Sequence, residues 1–320
     1  MTMPLTDVRT LADAIRAEVA KAIVGQEAMV DMLLTAMLSE GHVLIEGPPG
    51  TAKTFLANAF STALGLDFGR IQFTPDLLPG DILGSNLFNF QTSQFTLTRG
   101  PIFCDLLLAD EINRTPPKTQ AALLEAMQER RVTLDGETHH LPERFMVIAT
   151  QNPIENQGVY PLPEAQLDRF LFKLLVPYPA EDEEARIVAT YGQRAGPQRP
   201  ADLGVAAVTN AAGLVAASAA LSQVTVADDI TRYVVRLIRA TREHAELIVG
   251  ASPRAAVLLA GAARARAALE GREYVIPDDV KALAVPVLRH RLTLSPAAEI
   301  EGRDMEALVA ELVDATQAPR

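Results

Sequence analysis

A loop rich in glycine and proline holds the residues best suited to chemistry. It reads, in order, Gly47, Pro48, Pro49, Gly50, Thr51, Ala52, Lys53 and Thr54. In such a loop, backbone N–H groups and the N-terminus of a following helix can bind phosphate oxygens. Lys53 can neutralise charge on the β- and γ-phosphates, and the Thr54 hydroxyl can be a ligand of Mg²⁺. The loop therefore predicts a site for a nucleoside triphosphate, with an ordinary strand-to-helix turn as the alternative.

Ala52 departs from the general phosphate-binding pattern, which has glycine at that position. A methyl group there is harmless if residue 52 has a negative φ and if no phosphate oxygen approaches its Cα closely. Because of this departure, the loop taken alone is a weaker signal than the complete pattern.

Two adjacent carboxylates form a second chemical group. The apolar run Leu106–Ala109 ends abruptly at Asp110 and Glu111. An acid at the carboxyl end of a strand beside a phosphate loop is placed to hold Mg²⁺, and the next carboxylate can polarise an attacking water. We therefore expect Asp110 on the metal side and Glu111 as the general base. A solvated turn is the alternative for an acidic pair on its own.

A third polar group follows the apolar run Met146–Thr150, which leads into Gln151 and Asn152. The amide of Asn152 can orient the hydrolytic water or contact the γ-phosphate. Taken alone, an Asn-Pro pair is more typical of a turn.

Parallel strands are needed to bring these groups together. The short apolar run before the loop, residues 42–45, indicates a buried strand, and a helix is predicted from near Thr51 to Leu64. Strand, loop and helix in this order open a βα unit. Further apolar runs at 106–109, 146–150 and 170–176 complete the prediction of an α/β core with a mostly parallel sheet.

Two predicted β-hairpins interrupt this alternation. The first lies between Asp81 and Phe103, and its alternating apolar residues are Phe88, Phe90, Phe95 and Leu97. The second turns at Asp135 and Gly136, a dipeptide that favours a two-residue hairpin turn. The aromatic side chains of the first hairpin are equally compatible with substrate contact and with packing on their own domain.

A Gly/Pro/Arg-rich stretch at 194–200 indicates a linker, and every periodic segment after it looks helical. We therefore predict an α/β nucleotide-binding core over residues 1–196 and a small all-α domain over residues 197–320.

Composition limits the classes of function. The 320 residues include 40 acidic and 29 basic side chains, a net charge of −11, and most of the excess acidity lies in residues 1–196. This balance argues against a chain that mainly neutralises nucleic-acid phosphates or an anionic membrane. The single cysteine, Cys104, excludes an internal disulfide and is predicted to lie in the core. With no secretory signal and no apolar spanning stretch visible, we expect a cytoplasmic protein without membrane insertion.

The order of these motifs resembles the AAA+ ATPases and, closely, the MoxR family. The resemblance spans most of the chain and rests on the segments 47–54, 108–114, 116–129, 149–153, 162–170 and 250–255. Many loops of that family carry alanine where this chain has Ala52. The resemblance implies a P-loop NTPase core of the AAA+ type with two inserted hairpins, followed by a small all-α lid domain.

Several residue roles follow from the resemblance alone. Lys53 and Thr54 match Walker A, Asp110 and Glu111 match Walker B, and Asn152 matches sensor 1. The remaining matches concern residues in other segments. Arg169 matches the arginine finger that reaches the γ-phosphate of a neighbouring subunit, Arg254 matches a sensor 2 that touches the phosphate of its own chain, and Val24 lies in a segment placed against the adenine.

The same resemblance implies a function and partners. ATP and Mg²⁺ would be the cofactors of an ATPase that assembles into a ring, as a hexamer. The two hairpins match the helix-2 insert and the pre-sensor-1 hairpin, which face the pore of such rings. A chaperone-like motor of this kind remodels a client protein and often works with a von Willebrand factor A domain protein.

Three other functions compete with this interpretation. A metal-chelatase motor subunit would share every ATP residue, and a nucleotide switch would bind ATP with little turnover. A nucleic-acid motor is disfavoured because the turn of the second hairpin is acidic, at Asp135 and Glu137, where basic residues would be expected. For Arg114 the sequence leaves two positions open, the subunit interface and a solvated loop.

Overall fold

The computed structural model describes residues 3–89, 94–153, 159–192, 196 and 198–319. Its strands are β1 (Val43–Glu46), β2 (Phe68–Gln72), β3 (Gly84–Asn89), β4 (Gln94–Arg99), β5 (Leu106–Asp110), β6 (Arg131–Leu134), β7 (Glu137–His140), β8 (Met146–Gln151), β9 (Phe172–Leu175), β10 (Leu247–Val249) and β11 (Thr293–Leu294).

The α-helices are α1 (Leu5–Val19), α2 (Glu27–Leu38), α3 (Lys53–Leu64), α4 (Pro79–Leu83), α5 (Pro117–Glu129), α6 (Glu164–Leu167), α7 (Glu181–Tyr191), α8 (Ala211–Ala219), α9 (Asp228–Glu243), α10 (Pro253–Leu269), α11 (Pro277–Leu288), α12 (Pro296–Ile300) and α13 (Met305–Ala315). Short 3₁₀ helices lie at Ile112–Arg114, Pro200–Leu203 and Ala220–Gln223.

Five parallel strands form the central sheet in the order β2-β5-β8-β1-β9. The predicted parallel α/β core is therefore confirmed, with β2 added as an edge strand that the sequence did not indicate. Because the strands run in one direction, the carboxyl ends of β1, β5 and β8 meet at one edge. The phosphate loop follows β1, Asp110 is the last residue of β5, and Asn152 follows β8.

Alternate residues of the strands face opposite hydrophobic clusters, as the two-residue period of a strand requires. Leu106 and Leu108 of β5 pack with α1, α2, α3 and the C-terminal helices, whereas Leu107 and Ala109 pack with α5. Both faces of the sheet are covered, which explains why the central strands are continuously apolar. Cys104 is buried in the cluster that includes α5, as predicted.

Both predicted hairpins are confirmed as antiparallel pairs, β3 with β4 and β6 with β7. Asp135 and Gly136 have φ values of 50° and 87°, and positive φ at both positions is characteristic of a type I′ turn. The Asn86 amide donates to Asp135 Oδ2 at 2.8 Å and joins the two hairpins. Leu97 is half-buried. Phe90 and the side chains of Phe88 and Phe95 lie outside the described residues.

The C-terminal part is helical, as predicted, and contains α8 to α13. It also contains one short antiparallel pair, β10 with β11, which the sequence did not indicate. Helix α10 packs against the N-terminal helices α1 and α2, so the C-terminal helices and the start of the chain share one hydrophobic cluster. None of the described helices combines the length and the apolar character needed to cross a membrane.

Candidate nucleotide site

The phosphate loop connects β1 to α3 and depends on two glycines. A Cβ at Gly47 would lie 2.6 Å from the carbonyl oxygen of Val176, the residue after β9, so a larger residue at 47 displaces the loop or the chain at Val176. Gly50 has a φ of +82° and faces open space, so its conformation rather than its surroundings demands glycine. The loop thus passes close to the sheet at its start and turns sharply at its middle.

Ala52 has a φ of 58°, so the condition under which its methyl group would be harmless is not met. The left-handed conformation costs an L-residue other than glycine roughly 1–2 kcal/mol. It also explains why the helix begins at Lys53 rather than near Thr51, because a left-handed residue cannot belong to a right-handed helix. The strained residue lies directly before the lysine and threonine that the phosphate chemistry requires.

Lys53 is held by the loop that precedes it. Its ammonium group donates to the carbonyl oxygens of Gly47 at 2.8 Å and Pro48 at 2.7 Å. Burial lowers the pKa of Lys53 from its ordinary value, and the charges of Asp110 and Glu111 oppose that shift. The cation therefore lies within the loop and beside the two carboxylates.

Asp110 and Thr54 meet as the sequence predicts. The Thr54 hydroxyl donates to Asp110 Oδ2 at 3.2 Å, and the Thr150 hydroxyl donates to Oδ1 at 2.7 Å. Arg70 of β2 also donates to Oδ2, at 2.8 Å. The buried carboxylate is thus fixed by strands on both sides of β5 and by the first turn of α3.

Glu111 leaves β5 with a φ of 58°, which turns the chain immediately after the strand. Its backbone N–H donates to the Thr150 hydroxyl at 2.9 Å. Its Oε2 accepts from the Gln72 amide at 2.6 Å and lies 3.0 Å from Nε of Arg114. Arg114, whose position the sequence left open, therefore lies against the proposed general base.

Two neighbouring cavities meet at the phosphate loop. One, of about 330 Å³, is lined by the loop from Pro49 to Phe55, by Asp110 and Glu111, and by the end of β8 including the buried Asn152. The other, of about 290 Å³, shares Gly50, Thr51, Ala52 and Phe55 with the first. Its remaining lining is Ala22, Ile23, Val24, Gln26, Pro179, Ile187, Tyr191 and Gln198. A polar cavity beside a largely apolar one matches the two ends of a nucleotide.

Sequence reasoning missed several residues of this site. Arg70 and Gln72 were missed because β2 was not predicted, although their spacing of two residues places them on one face of a strand. Ile187 and Tyr191 belong to α7, a helix whose relation to the loop depends on distant contacts. The Tyr191 hydroxyl donates to the carbonyl oxygen of Ala22 and closes the apolar cavity.

Arg169 and Arg254 do not lie in either cavity. They line a third cavity, of about 170 Å³, at the opposite edge of the sheet, together with Glu40, His42 and Arg130. Burial lowers the pKa of His42 to about 4, and the charges of Arg130 and Arg254 act in the same direction. The imidazole is therefore neutral at physiological pH, and the arginines provide the positive charge.

Arg254 lies away from its own phosphate loop. A sensor that touches the phosphate of its own chain should lie near the phosphate loop, but Arg254 lies beside Asp168, with 3.8 Å between Nε and Oδ2. Asp168 is also bound by Arg291, with 2.7 Å between Nε and Oδ1. The reason is the packing of α10 on α1 and α2, which carries the N-terminus of α10 to the amino edge of the sheet.

The chain is similar to several known proteins along nearly its whole length. The profile of the ATPase family associated with various cellular activities (AAA) matches residues 42–172, and that of the AAA lid domain matches residues 239–312. Chaperone MoxR1 of Mycobacterium tuberculosis is 43% identical over 98% of this chain and 84% of its own length. The uncharacterized protein YeaC of Bacillus subtilis is 44% identical, over 93% of this chain and 92% of its own. The crystal structure of a candidate ATPase from Cytophaga hutchinsonii, 36% identical, has a TM-score of 0.91 and covers 99% of this chain and 97% of that one.

Proposed function

The chain belongs to the MoxR family of AAA+ ATPases, and we propose that it hydrolyses Mg²⁺-bound ATP at the carboxyl edge of its sheet. One observation carries the proposal: the Thr54 hydroxyl and the Asp110 carboxylate lie 3.2 Å apart. They do so on the cavity that Lys53 and Glu111 also line.

The donor set fits Mg²⁺. A hydroxyl and a carboxylate oxygen are the hard ligands that this ion prefers, and it usually keeps several waters and phosphate oxygens besides. Within the described part of the chain, no cluster of three His, Cys, Asp or Glu side chains could hold a metal ion. Thr54 and Asp110 would therefore hold Mg²⁺ only together with the nucleotide, and the ion would neutralise charge on the phosphates.

The remaining residues divide the work of phosphoryl transfer. Lys53 and the N-terminus of α3 bind the phosphates, and the cavity at Val24 takes the adenine. Glu111 accepts a proton from the attacking water, and Asn152 orients that water. The Glu111 carboxylate is presently bound to Gln72 and Arg114, so it must give up at least one of these contacts to act as a base.

Arg169 and Arg254 act, in this proposal, on the ATP of a neighbouring subunit. Both lie at the amino edge of the sheet, away from their own phosphate loop. A head-to-tail ring brings two different surfaces of neighbouring subunits together. In the proposed ring the amino edge of one subunit faces the carboxyl edge of the next, so that its two arginines complete the neighbouring site. We take the ring to be a hexamer, as the family resemblance implies.

The ring uses hydrolysis to remodel a client protein, in the cytoplasm and together with a von Willebrand factor A domain protein. The joined hairpins are the proposed contact with the client. The exposed acidic turn of the second hairpin, at Asp135 and Glu137, disfavours a nucleic-acid track. Residues 1–196 and 197–320 form the proposed core and lid.

Glu111→Gln tests the proposal, with Glu137→Gln as the matched control because Glu137 is an exposed hairpin residue. Glu111→Gln should bind ATP normally and hydrolyse it about 10²–10⁴-fold more slowly, whereas Glu137→Gln should keep the wild-type rate. Near-normal turnover of Glu111→Gln would remove it from the role of base. A wild-type protein without turnover, alone and with partners, would instead indicate a nucleotide switch.

The client is tested by capture. Glu111→Gln loaded with ATP should retain a protein client, because the site stays occupied. Lys53→Ala, which lacks the phosphate-binding ammonium group, should retain much less. Recovery of nucleic acid in place of protein would contradict the proposed function.

A further inference from the structure

We propose that Arg70 is a counter-ion for Asp110 in the metal-free site and that it competes with Mg²⁺ for the same carboxylate oxygen. The inference rests on the proposed function, because it concerns the Mg²⁺ site formed by Thr54 and Asp110. It adds a positioning residue that lies on the edge strand β2 and belongs to none of the recognised motifs.

The geometry at Asp110 Oδ2 carries the argument. Arg70 Nη2 donates to this oxygen at 2.8 Å, and the Thr54 hydroxyl donates to it at 3.2 Å. The other oxygen, Oδ1, accepts from the Thr150 hydroxyl at 2.7 Å. The guanidinium group therefore binds the carboxylate oxygen that faces the Thr54 hydroxyl, which is the oxygen best placed to ligate Mg²⁺.

The positive charges of Arg70 and Mg²⁺ make the two compete for Asp110. A guanidinium group and a divalent cation near one oxygen repel each other, and the repulsion is strong where solvent is partly excluded. The Asp110 side chain is 11% exposed, whereas that of Arg70 is 49% exposed. Because Arg70 reaches the site from solvent, it can withdraw into water when the metal arrives. A buried arginine would have no such route.

Gln72 connects this exchange to the general base. Arg70 Nη2 also donates to Gln72 Oε1 at 3.1 Å, and Gln72 Nε2 donates to Glu111 Oε2 at 2.6 Å. Arg70 therefore lies against both the carboxylate proposed to hold the metal and the amide that contacts the proposed general base.

The strand also leads toward the client-binding hairpins. Phe73 follows β2 directly and donates its backbone N–H to the Asp110 carbonyl oxygen at 2.8 Å. The chain then enters α4 and the hairpin β3–β4. A displacement of Arg70 and Gln72 is therefore close, along the backbone, to the segment that would contact the client.

The test is the effect of Mg²⁺ on ADP binding, which does not depend on turnover. The dissociation constant of ADP is measured by titration calorimetry in EDTA and in saturating Mg²⁺, and the ratio of the two constants is compared between variants. Arg70→Gln leaves Asp110 without its counter-ion, so ADP binding should weaken in EDTA and strengthen in Mg²⁺. The ratio of the dissociation constant in EDTA to that in Mg²⁺ should therefore be about 3- to 10-fold larger in Arg70→Gln than in wild type.

Arg131→Gln is the matched control. Arg131 also lies on a strand, is 52% exposed and pairs with a glutamate, Glu129, at 3.1 Å, but it lies away from Asp110. Its ratio should equal that of wild type. Arg70→Lys keeps the charge on a shorter side chain and should give an intermediate ratio, which also protects the test if Arg70→Gln folds poorly.

An unchanged or smaller ratio in both Arg70 variants would overturn the inference. A smaller ratio would mean that Arg70 holds Asp110 in place for the metal instead of competing with it. If Mg²⁺ fails to strengthen ADP binding even in wild type, the proposed Mg²⁺ site itself is wrong. The wild-type titration therefore distinguishes failure of the proposed function from failure of the inference about Arg70.

Discussion

Arg291 joins the lid to the core, and its loss should destabilise the protein strongly. Its side chain is only 2% exposed. The guanidinium group donates to Asp168 Oδ1 at 2.7 Å and to four backbone carbonyl oxygens, those of Asp168 at 3.1 Å, Phe170 at 2.6 Å, Leu171 at 3.2 Å and Val287. Burial lowers the pKa of Arg291 from its ordinary value, and Asp168 opposes that shift.

Arg291→Met replaces the aliphatic stem of the arginine with an unbranched apolar chain and removes these donors. Breaking a buried ion pair by removing one partner costs about 3–5 kcal/mol, because the other charge stays behind without compensation. Asp168 is 29% exposed and keeps Arg254 at 3.8 Å, which places the expected loss near the lower bound, about 3 kcal/mol. Without Arg291, Asp168 would keep its contact with Arg254 but would no longer be fixed itself, so it would orient Arg254 less precisely and ATP hydrolysis should fall even where the protein is folded.

Denaturant unfolding checks the stability, and steady-state hydrolysis at low temperature checks the activity. Arg199→Met is the control, because Arg199 pairs with Asp202 on the exposed surface and its loss should change neither quantity. An Arg291→Met protein with a free energy of unfolding close to wild type would refute the argument from burial. Full activity in the folded variant would refute the link from Asp168 to Arg254.

Three smaller perturbations test other parts of the structure. Ala52→Gly should raise the free energy of unfolding by up to about 1 kcal/mol, because glycine adopts the left-handed conformation without strain. An unchanged free energy of unfolding in denaturant titrations would contradict the strain inferred from the φ of 58°. Gly47→Ala should weaken ADP binding at least tenfold because its Cβ would lie 2.6 Å from the Val176 carbonyl oxygen, while Gly80→Ala, which meets no atom within 4 Å, should bind normally. The pKa of His42 is about 4 in the folded protein and 6.5 in the unfolded chain. Because the fold favours the neutral imidazole, the resulting stabilisation is complete above pH 6.5 and is lost as the pH falls toward 4. This loss amounts to about 3 kcal/mol of unfolding free energy. His42→Gln should therefore flatten the fall in unfolding free energy between pH 6.5 and 4, and an unchanged slope in urea titrations would refute this.

The chemistry of the nucleotide site could be predicted because it depends on local order. Strand ends that carry Asp110 and Asn152 must meet the phosphate loop if the strands are parallel and adjacent, and apolar runs of four or five residues identify such strands. The Asp-Gly turn of the second hairpin was equally visible, because positive φ at both positions favours that dipeptide.

The missed elements have identifiable physical causes. Strand β2 lies at the edge of the sheet, and Ile71 is its only buried residue, so no apolar run indicates it. Its Gly69 looks like a turn residue, but a Cβ there would lie 2.6 Å from the Pro101 carbonyl oxygen and 2.7 Å from the Cys104 sulfur. Arg70 and Gln72 were lost with the strand.

The location of Arg254 could not be predicted from its own segment. Its distance from the phosphate loop is set by where α10 packs, and α10 packs against helices more than 200 residues earlier in the chain. Sequence periodicity predicts that a helix has an apolar face, but it does not say which other helix covers that face.

The central claim is that each ATP site is completed by the arginines of the next subunit. Glu111→Gln subunits keep both arginines and lack the base, whereas Arg254→Ala subunits keep the base and lack one arginine. Each variant alone should hydrolyse ATP very slowly, because an arginine supplied across an interface is worth on the order of 10³–10⁵ in rate.

Hydrolysis by mixtures of these two variants is the decisive measurement. If Arg254 acts on the neighbouring site, mixed rings contain productive pairs, and activity should rise with mixing to about a quarter of the wild-type rate at equal proportions, since one neighbour pair in four has the right order in a random ring. If Arg254 acted on its own site, no subunit in the mixture would be complete. Activity that never exceeds that of the separate variants would contradict the account.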